Sequence, residues 1–264
     1  MLAYVLRRVF QSLVVLLVVG LVAFSMFTFV GDPIDNMLGQ ERTQADIERL
    51  RTQLGLDQPF PVQYWKFLQN AVQGDFGISY RQGRPVSEII VERLPATLEL
   101  AAVSGLFAIV LGIGLGVLTA IRRDGWLSNV IMTVSLIGVS LPTFLIGILL
   151  IYVFSVELDL LPSFGRGETV KIGWWSTGFL TQSGLTALIL PAITLGLYQM
   201  TLIMRLVRSE MLEVLRQDYI RFARARGLRE RAVNFRHALK NTMVPVITVT
   251  GLQLGSIIAF AIIT

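Results

Sequence analysis

The residues of this chain that could do chemistry are few, and most of them lie in one segment. From Asp218 to Pro245 the sequence reads DYIRFARARGLRERAVNFRHALKNTMVP, which holds seven of the 23 positive charges of a chain that is 53% hydrophobic. The same segment contains His237, the only histidine of the chain. A basic cluster of this kind indicates binding, either to anionic lipid as an amphipathic helix or to a partner protein.

Catalytic chemistry is largely excluded by the residue inventory. The absence of cysteine rules out disulfides, thiolate nucleophiles and Cys-based metal sites, and a single histidine rules out a His-pair metal site. The three lysines follow Trp65, Val170 and Leu239, so no Gly-Lys pair and no phosphate-cradling G-x-x-x-x-G-K-[ST] loop exists. The run LGIGLG at 111–116 lacks the G-x-G-x-x-G spacing. We therefore predict no catalytic, cofactor or metal site, and an energy source outside this chain.

Composition and hydropathy predict an all-α polytopic membrane protein. Only 16% of the residues are charged, against about 25% in soluble domains. Five nearly uncharged segments are long enough to cross a bilayer, at about 9–30, 100–121, 126–154, 185–204 and 244–264. The first is longer than the apolar region of a signal peptide, which favours a retained anchor. Membrane topology accounts for the excess of positive charge, so no nucleic-acid partner is predicted.

The distribution of basic residues predicts the orientation. With the N-terminus in the cytoplasm, the inside segments 1–8, 122–125 and 205–243 hold 14 basic residues. The outside segments 31–99 and 157–184 are longer but hold nine, together with 13 of the 18 acidic residues. The positive-inside rule therefore favours a cytoplasmic N-terminus. The loop 205–243 is far longer than a topology signal needs, which indicates a further role.

Within that loop the pattern predicts two helical stretches separated by a glycine. In EMLEVLRQDYIRFARAR, which begins at Glu210, apolar residues recur at helical spacing, at Met211, Leu215, Tyr219 and Phe222. Gly227 follows as a C′ glycine would, and a second apolar and basic stretch runs from 232 to 239. The two interpretations are a helix resting on anionic lipid and a docking surface for a cytoplasmic partner.

Features inside the predicted spans concern packing and bending. Gly112 and Gly116 form a G-x-x-x-G pair, which lets helices approach closely. The uncharged third stretch would be about 48 Å long as a helix, so it must tilt, break near Pro142 or leave the membrane before Glu157. Pro142 is a hinge candidate, with a static bend as the alternative. Buried charges are almost missing from the spans, which argues against proton or sodium coupling; Glu99 is placed at the outer mouth.

Several stretches resemble the inner-membrane permease subunits of dipeptide/oligopeptide (peptide/nickel-type) ABC importers. The loop DYIRFARARGLRERAVNFRHALKNTMVPVITVTGLQLG resembles the cytoplasmic loop of that family. The stretches RLRTQLGLDQPFPVQYWKFLQNAVQGDFGISYRQGRPVSEIIVERLPATLELA, SLPTFLIGILLIYVFSVELDLLPSFG and LILPAITLGL resemble its first outer region, third span and fourth span, in the family's order. The resemblance covers nearly the whole chain.

The resemblance implies a role for the cytoplasmic loop. Related importers carry a Glu-Ala-Ala…Gly motif there, whose short helices dock into the ATP-hydrolysing subunit. Ala223 and Gly227 match its second Ala and its Gly, whereas Arg221 and Phe222 occupy the Glu and first Ala positions and depart from it. ARARG at 223–227 is similar to the ARAKG of the peptide branch. The implied ATPase-docking residues are Asp218, Tyr219, Arg221, Phe222, Ala223, Arg224, Ala225, Arg226, Gly227 and Leu228.

The resemblance also implies the fold, the partners and the function. We expect a single type I ABC importer permease domain over 1–264, with five transmembrane helices, an outer region 31–99, a docking loop 205–243, and a sixth span missing from the C-terminal end. The chain would form half of a path for di- or oligopeptides in the bacterial inner membrane. Its partners would be a homologous permease, two cytoplasmic ATPases that bind ATP and Mg²⁺, and an extracytoplasmic solute-binding protein. Alternatives are import of nickel, glutathione or another small solute, an autonomous channel or secondary carrier, and an intramembrane enzyme.

Overall fold

The computed structural model describes residues 2–29, 48, 52, 56–79 and 81–263. The chain forms two compact units, Met1–Glu92 and Arg93–Thr264. Nearly all regular structure in the described residues is helical, and the exception is one two-stranded antiparallel sheet. The outer region 31–99 is described from residue 56 onward, apart from residue 80, and at positions 48 and 52.

In the first unit, two helices meet through aromatic side chains. Helix α1 is Leu2–Phe29 and α2 is Phe60–Val72. The ring of Phe24 lies 5.5–5.7 Å from the rings of Phe60, Tyr64 and Phe67. The Tyr64 hydroxyl donates to the Leu17 carbonyl at 2.6 Å, which satisfies the polar tip of an otherwise apolar ring. The aromatic face of α2 therefore packs on α1.

The remaining elements follow in chain order. The long helix α3 is Val86–Ile121. After it come α4 (Trp126–Ser140), α5 (Thr143–Ile151), a π-helical turn (Tyr152–Glu157), β1 (Val170–Ile172), β2 (Trp175–Thr177), α6 (Gln182–Val214), α7 (Asp218–Ala225), α8 (Glu230–Ala232), a second π-helical turn (Val233–Ala238) and α9 (Leu239–Ile263).

The helices confirm a chain with up to five membrane-crossing elements. Four helices are long and apolar enough to span a bilayer, namely Leu2–Met26, Val86–Ile121, Gln182–Val214 and Glu230–Ile262, and the fifth element is the pair α4 and α5. The helices are longer than the predicted spans, because α3 begins well before residue 100 and α6 continues past residue 204. Hydropathy marks the lipid-compatible part of a helix, whereas the helix itself continues where polar residues meet water.

The third predicted span was expected to tilt, to break near Pro142 or to leave the membrane before Glu157. Helices α4 and α5 show that it breaks. The chain is extended at Leu141 (ψ 138°) and Pro142 (ψ 137°) between the two helices, whose axes differ by 105°. The residue before a proline avoids the helical region because the proline ring clashes with it. The segment therefore breaks at Pro142. Whether this break acts as a hinge stays a prediction.

Two glycines of α3 face α6 at close range. A Cβ atom on Gly112 would lie 2.9 Å from Ile203 Cγ2, and one on Gly116 would lie 2.7 Å from Val207 Cβ. The surrounding core cluster contains buried residues from α3, α6, α7 and the segments that follow, namely Ala108, Val117, Ala120, Ile203, Val207, Met211, Ile220, Ala223, Val233, Ala238 and Val246. This cluster connects the membrane helices to the basic segment.

Candidate partner-docking site

The basic segment folds as a hairpin, residues 218–238, called the basic hairpin from here on. It contains α7, the turn at Gly227, α8 and the second π-helical turn. The single helix expected from Glu210 to Arg226 is wrong, because α6 ends at Val214 and the chain is extended at Gln217 (φ −68°, ψ 150°) before α7 begins. The break resets the helical phase, so the apolar stripe expected from spacing does not continue into α7.

The inner face of α7 is formed by different residues from those expected. Tyr219 and Phe222, which the helical spacing placed on the apolar stripe, are 42% and 63% exposed. Ile220 and Ala223 are instead the buried residues of α7 and join the core cluster. Their i, i+3 spacing places them on one face of the helix. Sequence reasoning overlooked Ile220, although an isolated β-branched residue among charges was a usable signal.

The basic hairpin is held to α9 by side-chain hydrogen bonds, and α9 contacts α6 beside it. Asn241 donates from Nδ2 to the Tyr219 hydroxyl at 2.7 Å. Thr242, which is fully buried, donates to the Ala238 carbonyl at 3.0 Å and lies 3.5 Å from the Met211 sulfur. With the buried Ile220, these contacts fix the hairpin to the ends of two long helices.

The turn of the basic hairpin confirms the predicted C′ glycine. Gly227 has φ +73°, a conformation that costs little only for glycine. The Leu228 amide donates to the Ala223 carbonyl and the Gly227 amide to the Arg224 carbonyl, at 3.3 and 2.9 Å, which is the Schellman pattern. Across the turn, Arg224 donates to both carboxylate oxygens of Glu230, at 2.9 and 3.4 Å. The turn is therefore closed by backbone and side chain together.

The outer face of α7 presents arginines around an aromatic ring. Phe222 is exposed, and the Arg226 guanidinium carbon lies 5.7 Å from its ring centroid, a cation–π geometry. Arg221 pairs with Asp218 at 3.2 Å, and both side chains are exposed. Of the ten residues predicted to dock, Ala223 is buried and the other nine are exposed. Aromatic residues and arginine are the residue types that dominate binding energy at protein interfaces.

A second polar cluster was missed by the sequence reasoning. Glu99 on α3 is 3% exposed and accepts hydrogen bonds from Arg166 Nη2 at 3.2 Å, Trp175 Nε1 at 3.0 Å and the Gly178 amide at 3.2 Å. These bonds hold the β1–β2 hairpin on α3. Trp174, which packs edge-to-face on Trp175 at 5.3 Å, is exposed. The two adjacent tryptophans thus have different environments, because Trp175 is only half-exposed.

Potential metal ligands do not cluster within the described part of the chain. Groups of three or more His, Cys, Asp or Glu side chains that could hold a metal ion are not found there. His237 lies in the second π-helical turn.

The fold and the site define a multi-pass α-helical membrane protein with a basic hairpin between its last two long helices. A family described as "Binding-protein-dependent transport system inner membrane component" matches residues 112–264, and its N-terminal companion model matches residues 1–101. The chain belongs to this family, and its fold is the type I ABC importer permease fold, as the sequence predicted.

Two curated relatives illustrate the similarity. The chain is similar to the dipeptide transport system permease protein DppB of Alkalihalophilus pseudofirmus, with 37% identity over the whole chain and 83% of the relative. It is also similar to the glutathione transport system permease protein GsiC of Escherichia coli strain K12, with 38% identity over the whole chain and 81% of the relative. The chain is thus a transport permease subunit.

Proposed function

We propose that this chain forms half of the translocation path of a binding-protein-dependent ABC importer for di- and oligopeptides. Family membership and the similarity to a dipeptide permease support the proposal. The observation that carries the coupling role is the basic hairpin, because it is buried on one face, closed at Gly227 and exposed at Phe222. A surface ordered before binding loses less entropy when a partner docks.

The proposed partners follow from two features of the chain, its lack of a phosphate-binding loop and its exposed basic hairpin. Two cytoplasmic ATPases supply the phosphate-binding loops absent here, bind ATP and Mg²⁺, and each dock on the hairpin of one permease. A homologous permease encloses the path from the other side, and an extracytoplasmic solute-binding protein delivers the cargo. The hairpin is cytoplasmic and so is the N-terminus, in a bacterial inner membrane. This orientation rests on the excess of basic residues in the segments on that side.

The hairpin is suited to transmit motion. Ile220 and Val233, both fully buried, belong to the same core cluster as Val207 of α6 and Val246 of α9. A close-packed interior transmits displacement rather than absorbing it. Closure of the ATPases therefore moves the basic hairpin and, through this cluster, the membrane helices, which exposes the path to alternate sides of the membrane.

Glutathione is the second candidate cargo, favoured by the similarity to the E. coli permease. Glutathione is itself a tripeptide, so both cargoes fit one chemical class. Nickel and other small solutes are compatible with the same architecture. An autonomous channel or secondary carrier predicts transport by the purified chain in liposomes without ATP, and such transport would contradict the proposal.

The proposal is tested by purifying the tagged chain from native membranes and identifying its partners by mass spectrometry. We expect a second permease, two ATPases and a solute-binding protein whose ligand identifies the cargo. Phe222→Ala should lose the ATPases while insertion persists. Phe164→Ala, which truncates a 90% exposed ring outside the basic hairpin, is the matched control and should retain them. Retention of the ATPases by Phe222→Ala would argue against docking through this hairpin.

A further inference from the structure

Three polar groups link α3, α4 and α6: the Arg208 guanidinium, the Ser128 hydroxyl and the Thr119 carbonyl, called the bridge from here on. Arg208 of α6 donates from Nη1 to the Ser128 hydroxyl of α4 at 3.1 Å. The Ser128 hydroxyl donates in turn to the Thr119 carbonyl of α3 at 3.2 Å. Ser128 is 2% exposed and Thr119 is fully buried. None of these residues belongs to the basic hairpin or to the set predicted to dock.

The bridge provides a hydrogen-bond donor for a carbonyl that the end of α3 leaves without an intrahelical partner. An α-helix leaves its last four carbonyls without an intrahelical partner and carries partial negative charge at that end. Thr119 lies in the last turn of α3, which ends at Ile121. The hydroxyl of Ser128 supplies the missing donor, and the guanidinium of Arg208 adds a positive charge next to it. Linked hydrogen bonds of this type polarise and strengthen one another.

The bridge is the main polar connection of α4 to its neighbours. Along the whole of α4, which the structure describes completely, the buried residues are Ser128 and Ser135. Ser135 donates to the carbonyl of Met132 in its own helix, so it ties α4 to no other element. Five further residues of α4 are half-buried, but apolar faces give helices little drive to associate within a bilayer, where packing and hydrogen bonds between helices hold them together. The position of α4 therefore depends on Ser128 and its partners together with close packing on α6, where a Cβ on Gly138 would lie 3.3 Å from Thr201 Oγ1.

The bridge also lies between the basic hairpin and the break at Pro142. Arg208 follows Val207, which packs against Gly116, and stands six residues before α6 ends at Val214. On the other side, α4 continues past Ser128 to its end at Ser140, after which the chain turns by 105° into α5. One guanidinium thus joins the helix that leads to the hairpin with the helix that leads to the break.

We propose that Arg208 is a positioning residue that makes α4 follow the motion of the basic hairpin, so that ATPase closure is passed to the broken pair α4 and α5. This inference rests on the proposed function. Without the bridge, the hairpin still binds the ATPases, because its contacts with the core cluster are intact, but α4 no longer moves with α6. ATP is then hydrolysed with less solute moved.

The test uses the complete transporter, reconstituted with its second permease, ATPases and solute-binding protein. Solute uptake and ATP hydrolysis are measured on the same vesicles, using the ligand that co-purifies with the binding protein. We expect Arg208→Gln and Ser128→Ala to retain the ATPases and to lower the solute moved per ATP about tenfold, the effect of losing one hydrogen bond to a charged group. Arg208→Lys keeps the charge and one donor, and should recover part of the ratio.

Two controls separate coupling from charge and from folding. Arg205→Gln removes the same charge one turn earlier, where the arginine is exposed and makes no hydrogen bond or ion pair with the rest of the described chain, and it should keep the wild-type ratio. The double variant Arg208→Gln/Ser128→Ala should be no worse than the more impaired single variant, because both changes break one bridge. If Arg208→Gln does not insert, Ser128→Ala decides alone.

The possible results are distinguishable. A wild-type ratio of solute to ATP in Arg208→Gln or Ser128→Ala would overturn the inference, and so would loss of the ATPases together with uptake. An equal decline in Arg205→Gln would also overturn it, because charge alone would then explain the effect. Failure of the wild-type chain to bind any ATPase would instead contradict the proposed function.

Discussion

The carboxylate of Glu99 and the guanidinium of Arg166 lie 3.2 Å apart, although 67 residues separate them in sequence. Glu99 is almost fully buried, whereas the Arg166 side chain is 29% exposed. Arg166 also donates to the hydroxyl and the carbonyl of Ser176 in β2. The arginine therefore connects the first half of α3 to the β1–β2 hairpin, and Glu99 is the acceptor on which this connection depends.

Removing the Glu99 carboxylate is expected to destabilise the loop between α5 and α6. In Glu99→Ala, Arg166, Trp175 Nε1 and the Gly178 amide lose a shared acceptor. Breaking a buried pair by removing one partner costs about 3–5 kcal/mol, and the partial exposure of Arg166 favours the lower end. Thermal unfolding of the detergent-solubilised protein, followed by tryptophan fluorescence, should shift down by several degrees. The control is Glu92→Gln. Glu92 lies on the same helix as Glu99, but its ion pair with Arg84 is exposed, so this change should leave the midpoint unchanged.

The contact between α3 and α6 is expected to tolerate no side chain at Gly116. A Cβ there would lie 2.8 Å from the Met204 carbonyl oxygen as well as close to Val207, and a backbone atom cannot rotate away. Gly116→Ala should therefore cost about 1–3 kcal/mol, the range for overpacking a core, measured as a lower unfolding midpoint. Gly114→Ala is a matched control, because nothing lies within 4 Å of its added Cβ. Equal midpoints for the two variants would contradict close packing at Gly116.

The sequence predicted those features that depend on local chemistry. Hydropathy located the four helices long enough to cross a membrane and the bent pair α4 and α5, Pro142 located the break in that pair, and Gly227 located the end of α7. Each of these follows from one residue type or one uninterrupted run, so neighbouring residues were sufficient to predict them.

Features that depend on tertiary contacts were missed. The buried face of α7 differs from the predicted one because the chain is extended at Gln217, and no pattern in the sequence marked that break. The partners of Glu99 lie 67 to 79 residues away, and the bridge from Arg208 to Ser128 joins residues 80 positions apart. A single sequence does not indicate which distant polar residues meet, whereas burial of one of them requires that partners exist.

We expect ATPase binding to depend on the ion pair between Arg224 and Glu230 more than on either charge alone. Arg224→Glu places two carboxylates across the Gly227 turn, and their repulsion should loosen the turn and weaken ATPase binding. The exchange Arg224→Glu/Glu230→Arg restores an ion pair at unchanged net charge. An exposed pair contributes at most about 1 kcal/mol, so the exchange should recover most, not all, of the co-purified ATPase. No recovery in the exchange variant would mean that Arg224 contacts the ATPase directly.

The orientation of the chain can be tested with single cysteines, because the sequence contains none. The labelled positions must be described and exposed, which excludes Gln44, outside the described residues, and Asn234, which is 8% exposed. Better positions are Phe164, which is 90% exposed on the predicted outer side, and Leu228, which is 41% exposed in the basic hairpin.

Labelling of intact cells with a membrane-impermeant maleimide should therefore distinguish the two sides. Phe164→Cys should react from outside, since the segment 157–184 is poor in basic residues. Leu228→Cys should react only after the membrane is opened, since the positive-inside rule keeps the arginine-rich hairpin in the cytoplasm. Reaction of both cysteines after permeabilisation shows that each thiol is accessible. Outside labelling of Leu228→Cys would reverse the topology and remove the hairpin from the reach of any cytoplasmic ATPase.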